Sequence, residues 1–582
     1  MVKNYHSCHN ADIKNHEMHT SEEYEMQTKH QEEQKGDVNH NSTEDIFTDI
    51  GLGRWHILPI LIAFLYQAAS PTQLIGSVFT NIPLDYKCVS ITDNTSTYDN
   101  VSITENTSTY DNVSITDNTS TYDNVSITEN TSTYDNICKD SEDLIISCSK
   151  FEFNHTVFKS TFTTEFELIC DKSWISNLYQ VSVTIGLSIG SLLGGIGDRW
   201  GRLAVIRVGA LGCLVGVLLV GFGPNVYLIL VGRLLTGLFC NILNVSSFTL
   251  AIENIPTNQR SMMSIFIIVG YQISTILLGI ISYFLQYWRM LHLAISCYIY
   301  LIVVLIFFID ESPRWLFQNG QIEEGIALLN KIIKLHKSNK KVTDFSNFID
   351  ECKQKDKLKE RNTKEHNPCI KLKQNISVFF KNPAMISISI TTPIIWFITG
   401  LVYFGVPLNA HNFTDNPFIY MVLIGVVEII GIILGGIVLV KFGNIRTCAV
   451  LFGTTGSCFL FILPVPEQIW WLKWILILIA MMSISVCYTI CYIMASELYP
   501  TEVRATGLGI CTFSCFMGFI LSSMLSETVS KYSGWVFHLI CSASCFIAVM
   551  LIVCLLPETR GEPLCETAED VAERRKKLWN KT

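Results

Sequence analysis

Glu428 stands inside the apolar stretch 417–440, in the segment VVEIIG at 426–431. A carboxylate at bilayer depth is expensive, so something must hold it there: a cationic ligand, a buried structural partner, or its own proton. In the stretch 470–494, Tyr488 and Tyr492 lie one helical turn apart on one face. Aromatic faces beside a single carboxylate suit an organic cation, at about 0.5–2 kcal/mol per cation–π contact. Ordinary helix packing is the other reading of such a pair. A second set of charges recurs. ENIPTNQR at 253–260 and ELYPTEVR at 497–504 share one template: Glu, two residues, Pro-Thr, two residues, Arg. Asp198, Arg199, Arg202, Glu253, Arg260, Glu311, Arg314, Glu497 and Arg504 all fall at the ends of apolar stretches. There headgroup water lowers their cost, and opposite charges can pair and part as a gating network.

The elements that must position these residues are apolar helices. Of 582 residues, 49% are hydrophobic and only 16% charged, against about a quarter charged in soluble proteins. That excess of apolar sequence indicates a polytopic membrane protein. Twelve runs are long enough to span, at 55–79, 175–196, 203–223, 225–250, 262–286, 289–309, 384–407, 417–440, 445–464, 470–494, 505–527 and 534–556. The break between the third and fourth rests on Gly223-Pro224-Asn225. Residues 1–53 are polar throughout, so no cleavable leader is expected and the first run serves as its own insertion signal. The segment 310–383 carries fifteen Lys and Arg against ten acids, whereas 81–173 carries five against sixteen. The positive-inside rule then puts 310–383 in the cytoplasm, 81–173 outside and both termini inside.

Three markers repeat across the chain. GGIGDRWGR at 194–202 is echoed by GGIVLVKFGN at 435–444, ENIPTNQR by ELYPTEVR, and ESPRWL at 311–316 by PETRG at 557–561; the offsets are 242, 244 and 247. The expected organisation is a cytoplasmic tail (1–53), an N-terminal six-helix half (54–309), a cytoplasmic linker (310–383), a C-terminal half (384–556) and a cytoplasmic tail (557–582). Two such parallel halves place a binding site between them near the midplane, with access alternating as they rock. Pro256 and Pro500 end one helix in each half, since proline lacks the donor that continuation needs. The linker opens on an amphipathic stretch, EEGIALLNKIIKL, expected to lie on the membrane face.

The outer loop contains four copies of VSIT(D/E)NTSTYDN at 89–136, a polar unit with no apolar face and no expectation of regular structure. It is dense in glycan acceptors: Asn94, Asn100, Asn106, Asn112, Asn118, Asn124 and Asn130, with Asn154 beyond the repeat. Cys88, Cys138, Cys148 and Cys170 share the loop, enough for two disulfides in any of three connectivities.

The stretch 194–202, ESPRWL and PETRG resemble the major facilitator superfamily. The Cys-bearing loop with its exit CDKSW at 170–174, ELYPTEVRATGLG at 497–509 and PETRGEPLCET at 557–567 resemble the organic cation/anion/zwitterion transporter family, solute carrier family 22-like, over roughly 50–570. The resemblance implies an all-α fold of twelve transmembrane helices in two pseudo-symmetric halves, in the plasma membrane, carrying amphiphilic organic ions through a central cavity. It makes Trp396 and Tyr403, in WFITGLVYFG at 396–405, candidate cavity aromatics, and sets Glu428 where members carry an acid. Gln272 is a weaker candidate. Phe516 takes the place of an acid in cation carriers and of an arginine in anion carriers, and Ile432 that of a basic residue in anion carriers. The charge balance therefore leans to cations, driven by the membrane potential. In the C-half echo Val440 and Asn444 replace an Asp and an Arg, so that latch is expected to be the weaker.

Competing readings are an anion, zwitterion or neutral-solute carrier of the same fold, and a receptor-like protein that does not transport. No phosphate-binding loop of the G-x-x-x-x-G-K-S/T type is present, so neither an enzyme nor ATP driving is expected. The histidines of the N-terminal tail read as solvated, so neither a metal nor another cofactor is expected. The expected partners are a small organic ion and the lipid bilayer, with no nucleic acid; oligomeric state stays open.

Overall fold

The computed structural model describes residues 51–92 apart from Pro83 and Asp85, then 147–169, 172–336, 349, 378–408, 416–500, 503–532, 535–557 and 568–579. Twelve helices are long and apolar enough to cross a membrane: Arg54–Thr80, Ser173–Ile196, Arg202–Phe222, Val226–Glu253, Met262–Phe284, Trp288–Leu305, Pro383–Leu408, Pro417–Leu439, Asn444–Ile462, Trp470–Leu498, Thr506–Leu525 and Trp535–Leu555. We number them as spans one to twelve. The described residues form two compact units.

The larger unit comprises 58–250, 264–309 and 366–582, and so holds most of every span. Its helices approach closely at small residues. A Cβ at Gly237 of span four would meet the Val183 carbonyl of span two, and one at Gly400 of span seven would meet the Cys515 carbonyl of span eleven. The halves touch along two seams. A Cβ built on Gly425 of span eight would lie 3.0 Å from the Gln272 carbonyl of span five, and one on Gly509 of span eleven would lie 3.2 Å from the Ser191 carbonyl of span two. Gly201 and Gly443 adopt φ of 96° and 86°, where a side chain would be strained, and each caps the following span. They stand 242 positions apart, so the duplication written in the sequence is present in the backbone.

The smaller unit comprises 1–57, 251–263 and 310–365. Helix Ile322–His336 buries Leu328, Leu329, Ile332 and Ile333 against Trp55, Leu316 and Phe317. Protein side chains thus cover the apolar face of this amphipathic stretch. Asp310 accepts from Trp55 Nε1 at 3.1 Å and from Lys331 Nζ at 2.7 Å, fastening the same helix.

In the loop between spans one and two, β1 (Tyr86–Thr92) pairs antiparallel with β2 (Ser147–Phe153). Val89–Thr92, the first residues of the first repeat, are thus strand, against the expectation of no regular structure. Val, Ile and Thr are β-branched and suit a strand once a partner is supplied. The rest of the repeats, with seven of the eight glycan acceptors, lies outside the described residues, as do Cys138 and Cys170; of Cys88 and Cys148 the backbone alone is described, two pairs of register apart. Asn154 is described, and its Oδ1 accepts from Thr156 N at 3.2 Å on an exposed turn. The loop ends on helix Phe162–Glu165, capped by Thr161. Glu165 accepts from Trp288 Nε1 and Arg289 NH2, both at 2.6 Å.

The C-terminal tail includes helix Ala568–Trp579, docked on the larger unit. Asn382 Nδ2 donates to the Ala568 carbonyl at 2.7 Å, and Arg574 donates to the Glu497 carbonyl at 3.4 Å.

Candidate substrate site and gating charges

Glu428 is 2% exposed, on span eight. Tyr403 of span seven and Gln272 of span five are the polar side chains that face its carboxylate. Its Oε2 and the Gln272 Oε1 have no hydrogen-bond partner among the described residues. Glu428 therefore sits on the seam between halves and keeps acceptor capacity to offer.

Around it the expected aromatics form one wall. Tyr403 stacks on Tyr488 with centroids 5.2 Å apart and planes 18° apart. Trp396 stands edge-on to Tyr492 at 4.5 Å and to Tyr488 at 5.9 Å. The Tyr488 and Tyr492 hydroxyls are 3.3 Å apart, so both face one side of span ten as their spacing predicts. Trp396 and Tyr403 are buried, yet Tyr492 is 37% exposed although its ring touches buried Trp396. Phe516, 8% exposed, lies farther out, its ring 6.5 Å from that of Phe404.

Several members were not singled out from sequence. Tyr271, one residue before Gln272, lies 6.4 Å from Tyr403. Phe404, with its ring 4.9 Å from that of Tyr403, extends the wall, and Phe519 stacks 4.7 Å behind Phe404. Adjacent residues on a helix point about 100° apart, so the neighbour of a candidate is not chosen by spacing alone. Away from this wall, where span one ends and span eight begins, Phe79 stacks on Phe418 at 5.4 Å and 8°, and Phe158 of the loop joins them at 5.5 Å from Phe418. This aromatic cluster bridges the halves and the loop.

The two charged turns share a contact. Arg260 NH2 donates to the Ile255 carbonyl at 3.5 Å, and Arg504 Nε donates to the Tyr499 carbonyl at 3.4 Å. Each arginine thus reaches five residues back to a carbonyl left over where a span ends before proline, which accounts for the fixed Glu-x-x-Pro-Thr-x-x-Arg spacing. In the smaller unit the Ser312 hydroxyl donates to Glu253 Oε2 at 3.4 Å, and Ser312 N donates to Glu311 Oε1 at 3.0 Å. Arg314 occupies the first turn of helix Pro313–Gln318. In the larger unit Arg202 NH1 donates to the Gly197 carbonyl at 3.2 Å. Asn444 Nδ2 donates to Glu497 Oε2 at 2.6 Å, a neutral donor where the resemblance leads one to expect an arginine. The side chains of Asp198, Arg199 and Val440 lie outside the described set.

Twelve spans in two repeated halves, with a polar and aromatic site on their seam, define a membrane carrier of the major facilitator fold. Residues 109–571 match the family model described as "Sugar (and other) transporter", and the chain belongs to that family. It is 27% identical over 435 residues to solute carrier family 22 member 3 of the mouse, covering 73% of this chain and 74% of that protein. It is 28% identical over 428 residues to bovine solute carrier family 22 member 1, covering 72% of each. Human organic cation/carnitine transporter 2 is 27% identical over 424 residues, covering 72% of this chain and 73% of that protein. In fold it is similar to the inward-open xylose transporter XylE of E. coli, with a TM-score of 0.55, 16% identity, 70% of this chain and 90% of that one covered. The protein is thus a multi-pass membrane transporter, and its relatives are transporters rather than enzymes.

Proposed function

We propose that the protein carries small organic cations across the plasma membrane by alternating access, driven by the membrane potential. The observation that carries this reading is Glu428: a buried carboxylate on the seam between halves, beside a wall of aromatic rings, with an oxygen unpartnered among the described residues. A cation docked there satisfies the carboxylate and takes cation–π contacts from Trp396, Tyr403, Tyr488 and Tyr492, with Gln272 as a polar anchor. A cation moving toward a negative interior gains about 2.3 kcal/mol per 100 mV, which suffices for net accumulation without a second ion. Phe516 and Ile432 leave no arginine or lysine at the positions where an anion site would need them. Names among the relatives, including an organic cation/carnitine transporter, agree with this class.

The same reading takes the charged turns as the cytoplasmic gate, both termini as cytoplasmic, and 81–173 as an outer loop glycosylated at its eight sequons and cross-linked through its four cysteines. The experiment is uptake of labelled tetraethylammonium and labelled para-aminohippurate into cells expressing the chain, with and without depolarisation by potassium. Cation uptake that falls on depolarisation and is lost in Glu428→Gln is the expected result. Anion uptake, or cation uptake indifferent to Glu428, overturns the charge assignment.

A further inference from the structure

Arg233 lies seven residues into span four from Val226, about 10 Å along the helix. It is 2% exposed. Its Nε donates to the Tyr179 carbonyl at 3.3 Å, its NH2 to Gln180 Oε1 at 3.5 Å, and its guanidinium lies 4.4 Å from the centroid of the Tyr179 ring. A guanidinium has five N–H groups and keeps its charge in a protein. Among the described residues the groups that face it are Tyr179, Gln180, Cys240 and His292, none of them a carboxylate. Gln180 Nε2 and His292 Nε2 are likewise buried without a hydrogen-bond partner among the described residues.

A charge at this depth is kept where something pairs with it. The Tyr179 carbonyl and ring offset part of its burial and leave the net charge uncompensated. We propose that this cluster binds a small monovalent inorganic anion of the chloride class, held by the free N–H groups of Arg233 and the amide of Gln180. One excess charge sets the valence. Size follows from the surroundings: Phe162, Val220, Ile229 and Trp288, each at most 1% exposed, pack beside Tyr179, and close-packed apolar side chains favour a small ion over an organic acid. Tyr179, Gln180, Cys240 and His292 all belong to the N-terminal half, so the anion is a fixed counter-charge of that half and not a cargo crossing the seam.

The test is thermal unfolding of the purified full chain in detergent, with chloride exchanged for gluconate at constant ionic strength. This readout does not depend on transport, so its failure is distinct from failure of the cation reading. The expected result is a melting temperature higher by about 2 °C in chloride, with the chloride dependence absent in Arg233→Gln. Should Arg233→Gln not fold, Gln180→Leu is measured instead, with the half-saturating chloride concentration expected to rise about tenfold for one lost hydrogen bond to an ion. Identical melting of the wild type in both salts, a chloride effect retained in Arg233→Gln, or an unshifted midpoint in Gln180→Leu overturns the proposal.

Discussion

Glu428 and Arg233 are two fully buried charges on spans, one in each half, and they are housed differently. Arg233 is surrounded by its own half: Tyr179, Gln180 and His292 on spans two and six. Glu428 looks across the seam, with Tyr403 on one side and Gln272 on the other. The first arrangement stays constant when rigid halves rock, so it suits a permanent counter-charge. The second is rebuilt whenever the halves move, so it suits a group that exchanges partners in each cycle. Burial of charge alone does not distinguish these roles; which elements supply the surroundings does.

The comparison is broken most sharply at Glu428. In Glu428→Gln the shape is kept and the charge removed, and cation uptake is expected to fall on the order of 100-fold, the scale of losing one buried charge contact. The measurement is initial uptake rate corrected for surface protein. A fall in surface protein with unchanged uptake per molecule would assign Glu428 to folding instead. The next effect lies in the aromatic wall. Trp396→Leu and Tyr488→Leu each remove one π face, and the half-saturating cation concentration is expected to rise about 3- to 30-fold. A quaternary ammonium and a neutral solute of equal size should differ in this sensitivity; equal loss for both would mean the rings serve packing. A smaller effect is expected at Phe516, 6.5 Å from Phe404. Phe516→Asp adds a second acid and should tighten cation binding by about 3-fold, read as competition with labelled substrate.

Much of this was legible in the sequence. Twelve spans, two halves and the face shared by Tyr488 and Tyr492 follow from apolar run length, a repeat near 244 residues and helical spacing. The partners on other helices were not, because one chain without relatives carries no record of which faces meet. Tyr271 joins the wall through helix packing, and one basic residue in an apolar run, such as Arg233, reads equally as a packing compromise. The amphipathicity of the linker helix reveals that a face is covered but not by what; Trp55, Leu316 and Phe317 cover it. Val89–Thr92 became strand because β2, far along the chain, offered it a partner.

The smallest effect compares the two copies of the charged turn. Arg260 and Arg504 make the same contact, to carbonyls five residues upstream, but their acids are held differently. Glu253 takes a hydroxyl from Ser312 at 3.4 Å, whereas Glu497 takes the Asn444 amide at 2.6 Å and its own carbonyl accepts from Arg574. If the shared contact is a cap on the span end, Arg260→Ala and Arg504→Ala should each cost about 1 kcal/mol of stability, as the loss of one hydrogen bond at a helix terminus does. In melting temperature that is roughly 1–3 °C for each variant. If the turns also serve as gates, the two variants should diverge in uptake although they agree in stability. The N-terminal copy keeps its arginine at 202 while the C-terminal copy has a neutral Asn444. Arg260→Ala should therefore alter uptake more than Arg504→Ala. Asn444→Arg, which restores a charge beside Glu497, should bring the two closer together. Equal uptake in all three would leave the repeated turn with a structural role alone, as the cap its geometry already describes.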